Sequence, residues 1–195
     1  MKNVFIIGSM LAFTATTAFA QDEMVYNEPA GFILHKTSKV QREENKLIRR
    51  EKALNTPAYM TAQHFMIDFP NASNVTWKRT AFDEASFTLN GKQLNAFYDL
   101  DDELIGTTTP ANYSDIPAMA QKEIEKYYKG YTPSAVILFD DNEFNDTDMI
   151  LYGNSFEDED NYFVEMTNNN KTIVLQVNME GLVSFFKDIS YSNVK

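Results

Sequence analysis

The sequence has no cysteine among its 195 residues and only two histidines, with seven glycines and six prolines. Without cysteine no disulfide framework can form, so the fold must rest on its hydrophobic core. Two histidines offer little for a His-based nucleophilic or zinc site. No glycine-rich phosphate loop occurs, and the paired carboxylates cluster in predicted turns, where water keeps them ordinary. The sequence therefore predicts no enzyme and no cofactor.

Basic residues are also scarce, with 17 Lys and Arg against 28 Asp and Glu and a net charge of −11. The imbalance is uneven, because residues 36–56 hold seven basic and three acidic residues, whereas residues 57–195 hold nine and 22. An acidic body repels phosphates, which argues against nucleic acid and anionic membranes as partners. The charge instead favours solubility or a basic protein partner.

The first twenty residues have the features of a signal peptide. Lys2 supplies the positive start, Val4 to Phe13 the apolar core, and Ala-Phe-Ala at 18–20 the small-residue cleavage site. We expect the mature chain to begin at Gln21. No later segment approaches the roughly 20 apolar residues of a membrane span, so no membrane insertion is expected after cleavage. The predicted location is periplasmic or secreted.

A charged N-terminal arm is predicted over residues 21–56. Its latter part, "SKVQREENKLIRREKAL", places Val40, Leu47 and Leu54 seven residues apart, a narrow apolar stripe on an otherwise charged helix. The pattern is typical of a solvated helix or a loosely attached arm. A basic helix that binds a partner is the alternative.

Two further helices follow, each with an apolar face at helical spacing. Thr56 is expected to cap the first, with His64 on its surface, and the second is expected to begin near Ser114. The inward residues are Ala62, Phe65, Met66 and Phe69 in the first helix and Ala120, Ile124, Tyr127, Tyr128 and Tyr131 in the second.

The stretch "GKQLNAFYDLDDELIG" can be aligned with "NKTIVLQVNMEGLVSF" at a constant offset of 79 residues. Asp102 then takes the place of Gly181, which indicates that these acids mark a hairpin turn. Each unit is a helix followed by strands, and we expect two tandem units at about 57–113 and 114–190 in one domain, 57–195. The fold class predicted is α+β, with the helices packed on one face of antiparallel sheet.

Strand alternation predicts a second apolar face, on the side of the sheet away from the helices. A face of large apolar residues rimmed by acids is either covered or used for binding. The arm or the other unit are the expected covers. The residues assigned to this face, as a candidate partner-binding surface, are Phe97, Ile105, Phe139, Phe163 and Phe186.

The run "DDNEFNDTD" at residues 140–148 raises the question of calcium. It fails the EF-hand pattern, which needs Gly at its sixth place and Glu at its twelfth. Solvated loop charge is the better interpretation, and no metal site is predicted. The candidate ligands for weak calcium binding are Asp140, Asp141, Asp146 and Asp148.

Two stretches carry a resemblance to a known family, "FPNASNVTWKRTAFDEASFTLNGKQLNAFYDLDDELIGTT" and "DIPAMAQKEIEKYYKGYTPSAVILF". They resemble the PepSY-like, beta-lactamase-inhibitor-like family of small exported bacterial proteins, over about residues 58–188. Asp102 at the turn glycine and the extended loop at 154–161 depart from the family pattern. The resemblance implies the fold of the beta-lactamase inhibitor proteins, which bind an enzyme across an aromatic-rich sheet, and suggests a protease-inhibitory or regulatory role.

The leading hypothesis is a non-enzymatic exported binding module that inhibits or regulates an envelope enzyme, a protease or a beta-lactamase-like enzyme, through its sheet face. One alternative is a structural or sensory envelope protein whose basic arm contacts the partner. The other is a weak calcium binder.

Overall fold

The computed structural model describes residues 39–190 of the chain. The predicted signal peptide, residues 1–20, and the first part of the predicted arm, residues 21–38, lie outside the described residues. Within the described range, the elements in chain order are α1 Lys39–Leu54, α2 Tyr59–Asp68, β1 Ser73–Arg79, β2 Asp83–Leu89, β3 Lys92–Tyr98, β4 Leu104–Ala111, a 3-10 turn at Tyr113–Asp115, α3 Ala118–Tyr127, β5 Thr132–Asp141, β6 Met149–Leu151, β7 Asn154–Phe156, β8 Asn161–Asn168, β9 Lys171–Asn178 and β10 Val183–Asp188.

Eight strands form one antiparallel sheet in the order β1-β2-β3-β4-β5-β8-β9-β10. Strands β6 and β7 form a separate two-stranded hairpin. Helices α2 and α3 pack on one face of the sheet, so the predicted α+β class is confirmed. Each helix is followed in the chain by four strands of the large sheet, and β4 pairs with β5 to join the two groups. Tandem units at 57–113 and 114–190 stay a prediction.

Helix α2 covers strands β1 to β3 through an aromatic cluster. Phe65 lies with its ring centroid 5.0 Å from that of Phe87, at an interplanar angle of 86°, the edge-to-face geometry that aromatic pairs prefer. Ala85 and Ala96 are direct partners across β2 and β3, and both are fully buried. Two small side chains at this position leave the space that the Phe65 ring occupies.

Helix α3 covers the other half of the same face. Ala120 and Ile124 are fully buried there against Val164 and Leu175. The sequence placed Tyr127 on the inward stripe, but it is 65% exposed. The stripe runs at intervals of four, 120, 124 and 128, so Tyr128 packs against the cluster in its place.

The N-terminus of α2 is capped by carboxylates of residues that are distant in the sequence. The N–H of Ala58 donates to Asp83 Oδ2 and the N–H of Thr61 donates to Asp102 Oδ1, both at 3.1 Å. The expectation that Thr56 caps this helix is wrong, because its hydroxyl donates to the carbonyl of Lys52. Free N–H groups at a helix start need acceptors, and carboxylates also match the helix dipole.

Asp102 takes a positive φ of 65°, within the turn between β3 and β4. The acids of "YDLDDELIG" therefore do form a turn, and one of them also fixes a helix.

Helix α1 has no buried residue. Its stripe residues Val40, Leu47 and Leu54 are more than half exposed. The predicted helix therefore exists, and its apolar stripe faces solvent in the described part of the chain. Among residues 39–190, no helix is both long and apolar enough to cross a membrane.

Candidate protein-binding face

The five residues assigned to the second apolar face lie together in one cluster. They come from β3, β4, β5, β8 and β10, and neighbours along the same strands, such as Ala96 and Val164, pack under the helices instead. The cluster members from the predicted set are Phe97, Ile105, Phe139, Phe163 and Phe186. The structure thus brings all five to the side of the sheet away from α2 and α3.

This face is not open, however, because the β6–β7 hairpin lies on it. Phe156 of the hairpin packs edge-on against Phe139 and Phe163, with ring centroids 5.1 and 4.8 Å apart. Met149 is fully buried beside them. Each large apolar side chain removed from water contributes about 1.5–3 kcal/mol to the free energy of folding, so this packing stabilises the hairpin on the sheet.

Of the two alternatives for this face, covered or used for binding, the structure shows that its centre is covered. Phe97 is 6% exposed, and Ile105, Phe139 and Phe163 are fully buried, leaving Phe186 as the partly accessible member. Within the described residues the cover is a hairpin of residues 114–190, which is the other unit for Phe97 and Ile105 but not for Phe139, Phe163 and Phe186. The five residues serve as its floor.

The sequence contains a signal for this hairpin that was missed. Strands β6 and β7 have three residues each and are too short to show alternation. Between them Tyr152 and Gly153 both have positive φ, 52° and 76°. Two central residues of this kind form the two-residue turn that joins tight hairpins, and a following glycine is its commonest mark.

Polar contacts fix the hairpin on the β8 and β10 side. The Asn154 side-chain amide donates to the carbonyl of Phe186 at 3.0 Å, and the Lys187 ammonium donates to the carbonyl of Tyr152. The Tyr152 hydroxyl donates to Glu165 Oε1 at 2.8 Å. Burial, followed by that bond to Glu165, raises the pKa of Tyr152, so the hydroxyl stays protonated and keeps donating.

The hairpin is narrower than the face that it covers, and open space remains on both sides. Toward β2 to β4 lies a groove of about 500 Å³ whose walls include Glu84, Asn95, Thr108 and Ile150. Toward β9 and β10 lies a cleft of about 420 Å³, lined by Asn161, Gln176 and Asn178 among others. We call these the β4-side groove and the β9-side cleft. Both combine apolar walls with polar groups, as small binding sites do.

A third cavity, of about 410 Å³, adjoins the β9-side cleft and is strongly acidic. Its lining includes Asp141, Asp158 and Asp160, and the Asp160 carboxylate accepts the N–H of Asp141 at 2.8 Å. Burial raises the pKa of Asp141 to about 7, helped by the adjacent Asp158 carboxyl and by the charge of Asp160. A negative charge on Asp141 is therefore costly in this cavity.

The four candidate calcium ligands are not brought together. Asp140 and Asp141 are adjacent on β5 and point to opposite faces of the sheet, while Asp146 and Asp148 are exposed in the following loop. Across residues 39–190, no group of three or more His, Asp or Glu side chains could hold a metal ion.

His64 has a structural partner rather than a nucleophile. Its Nδ1–H donates to the carbonyl of Asp102 at 2.5 Å, which ties α2 to the β3–β4 turn. The side chain is half-buried, where the sequence placed it on the helix surface.

Of three comparisons with known proteins, the comparison with solved structures gave matches. No family model matches it, and no curated protein matches it. A DUF2874 family protein from Bacteroides uniformis ATCC 8492 is similar, with a TM-score of 0.57 and 14% identity, over 70% of this chain and 92% of that one. A BLIP-like protein from Bacteroides fragilis NCTC 9343 has a TM-score of 0.53 and 15% identity, over 72% and 92%.

A presumed periplasmic protein from Bacteroides eggerthii DSM 20697 is similar as well, with a TM-score of 0.56 and 14% identity, over 69% of this chain and 91% of that one. Identities this low show the fold and nothing finer. The chain therefore shares its fold with DUF2874 family and BLIP-like proteins of Bacteroides.

Proposed function

We propose that this protein is a non-enzymatic binding module, exported to the periplasm or beyond, that inhibits or regulates an envelope enzyme through the hairpin-bearing face of its sheet. The enzyme class proposed is a protease or a beta-lactamase-like enzyme. The PepSY-like motifs of the sequence, the predicted signal peptide and the BLIP-like fold neighbour support this assignment.

The observation that carries the proposal is the construction of that face. A partner meets the hairpin crest, with the β4-side groove on one side and the β9-side cleft on the other. Ile150, 39% exposed on the hairpin, lines the β4-side groove and is an apolar anchor of the size that interface cores use. The five buried residues predicted from the sequence act here as the support beneath the contact surface.

An inhibition assay tests the proposal. The mature chain from Gln21 is titrated into a panel of purified envelope proteases and serine beta-lactamases, beside two single variants. Ile150→Glu places a charge on the hairpin, and Met119→Glu places one on α3, at a side chain 62% exposed on the opposite side of the sheet.

We expect dose-dependent inhibition of at least one enzyme, lost with Ile150→Glu and kept with Met119→Glu. If Met119→Glu abolished inhibition and Ile150→Glu did not, the enzyme would contact the helix side of the sheet instead. No inhibition of any enzyme in the panel would contradict the inhibitor role.

A second candidate is favoured by α1. This helix carries six basic and three acidic residues, and its stripe leaves Val40 77% and Leu47 63% exposed. A structural or sensory envelope protein would use such a helix to hold an anionic partner. Deleting residues 36–56 discriminates the two, because the arm hypothesis predicts loss of the partner with the sheet domain still folded.

A further inference from the structure

The β9-side cleft and the acidic cavity are two parts of one depression, because both are bounded by Glu159 and Asn178. We call the combined site the acidic cleft. Carboxylates are concentrated at one end of it, among them Asp141, Asp158 and Glu180. None of the side chains that line either part, all within residues 39–190, belongs to Lys or Arg. The site is therefore anionic without an internal counter-charge.

Acceptor atoms without donors lie along this cleft. Asn161 is fully buried, and its Nδ2 donates to the carbonyl of Glu159 at 3.0 Å, but its Oδ1 has no partner among the described residues. Buried side-chain acceptors in folded proteins are ordinarily satisfied. An orphan of this kind in the wall of a cleft indicates that a donor arrives from outside.

Two carboxylate oxygens repeat the pattern. Asp141 Oδ1 and Asp158 Oδ1 are both shielded from solvent and, within the described chain, neither accepts from a donor group. Burial first, and then the neighbouring carboxyls, raise the pKa of Asp141, so its charged form is costly here. A bound cation that donates hydrogen bonds offsets that cost and satisfies the same oxygens.

The arrangement suits a side chain better than a metal ion. No set of three acidic or His side chains in residues 39–190 converges on one point, as a metal requires. The acceptors are instead spread along a cleft, and apolar side chains stand at its rim, with Leu182 64% and Met179 50% exposed. An Arg or Lys side chain lays its aliphatic stem on such a rim and aims its charge inward.

We propose that the acidic cleft binds an arginine or lysine side chain of a partner polypeptide, in extended form, with arginine preferred for its bidentate geometry. This inference rests on the proposed function and names the chemistry of the partner. It agrees with the charge of residues 57–195, which carry 22 acidic and nine basic residues.

Fluorescence anisotropy tests the proposal with a labelled peptide, Gly-Arg-Gly-Arg-Gly, and the same peptide with citrulline in place of arginine. Citrulline keeps the shape and several donors but carries no charge. The cleft variant is Asp158→Asn/Glu159→Gln, which lies outside the strands. The control variant is Glu123→Gln/Glu125→Gln on α3, which removes the same charge from the opposite side of the sheet. Thermal unfolding of each variant confirms that it is folded.

We expect the arginine peptide to bind the native chain and the control alike, and to bind the cleft variant about tenfold more weakly, as the loss of one charge-assisted contact implies. The citrulline peptide is expected to bind the native chain at least as weakly as the arginine peptide binds the cleft variant. Equal weakening by the cleft variant and the control would reduce the effect to net charge and overturn the proposal, and equal binding to all three proteins would show that the cleft does not hold the peptide. The proposal would also be overturned if the citrulline peptide bound as tightly as the arginine peptide. Displacement of the peptide by calcium from the native chain, but not from the variants, would overturn it as well.

The outcome is separable from that of the proposed function. Ile150, whose substitution tests the face as a whole, lines the groove on the other side of the hairpin. If peptide binding fails while Ile150→Glu still abolishes inhibition, the acidic cleft is excluded and the binding face stands.

Discussion

The two faces of the eight-stranded sheet are covered in different ways. On one face α2 and α3 pack their buried side chains onto the strands, and the N–H groups at the start of α2 are bound by Asp83 and Asp102. On the other face a hairpin of two three-residue strands covers the aromatic centre and leaves space on both sides. The difference separates a closely packed face from a face with open space beside its cover, which is the face that we propose binds the partner.

The helix face should show the largest loss when its core is cut. Phe87, 1% exposed, contacts both Phe65 of α2 and Phe69, the residue that follows the helix. We expect Phe87→Ala to lower the free energy of unfolding by about 3–5 kcal/mol, because the cavity lies between helix and sheet and cannot fill with water. Urea unfolding measures this. A loss below about 1 kcal/mol would mean that α2 is not a fixed part of the core.

On the hairpin face, removal of a core ring should loosen the hairpin and leave the rest of the sheet unchanged. Phe156→Ala removes the ring that bridges Phe139 and Phe163, and we expect a loss of about 2–4 kcal/mol, moderated because the short hairpin can shift onto the gap. Hydrogen exchange should speed up within residues 149–156 and stay slow in β2 and β3. Equal acceleration on both sides of the sheet would contradict the separation between the faces.

The distant cap of α2 should contribute less. Asp102→Ala removes the acceptor for Thr61 and places alanine at a positive φ, so we expect a loss of about 1–2 kcal/mol. Asp102→Asn keeps an acceptor oxygen and tolerates the same φ, and it should cost about 0.5 kcal/mol or less. Thermal unfolding of both variants tests the ranking, and equal losses would exclude the capping role.

The smallest expected effect is a pH-dependent change in stability at Asp141, in the acidic cavity on the hairpin side. The folded-state pKa of Asp141 lies above its ordinary value, at about 7, so the folded chain keeps a proton that the unfolded chain has lost between about pH 4 and pH 7. Stability is therefore lost as pH rises through that window. Asp141→Asn removes the charge, and we expect it to raise the Tm by a few degrees at about pH 8.

Below about pH 3 the difference between Asp141→Asn and the native chain should vanish, because Asp141 is then protonated in both the folded and the unfolded native chain. A Tm difference that stays constant across the pH range would show that Asp158 and Asp160 do not act on this group.

Local patterns in the sequence were enough to predict the fold class and the two faces of the sheet. The alternation at Leu94, Ala96 and Tyr98 assigns β3 its two faces, and the same reasoning gathered Phe97, Phe139 and Phe163 on one side. These features depend on neighbours two residues apart, which a single sequence displays.

The parts that were missed depend on contacts between distant segments. The caps of α2 join residues 25 and 41 positions apart, and no local pattern reveals them. The hairpin cover of the aromatic face escaped for the same reason, because the packing of Phe156 on Phe139 and Phe163 is set by the whole sheet. The raised pKa of Asp141 likewise depends on Asp158 and Asp160, which return to it only after the hairpin.

Hydrogen exchange of the protein with and without an inhibited enzyme tests the central claim most directly, namely that the hairpin-bearing face is the binding face. The account predicts new protection in residues 149–160 and 176–186, with α2 and α3 unchanged. New protection confined to α2, α3 or α1, with the hairpin exchanging as in the free protein, would contradict it.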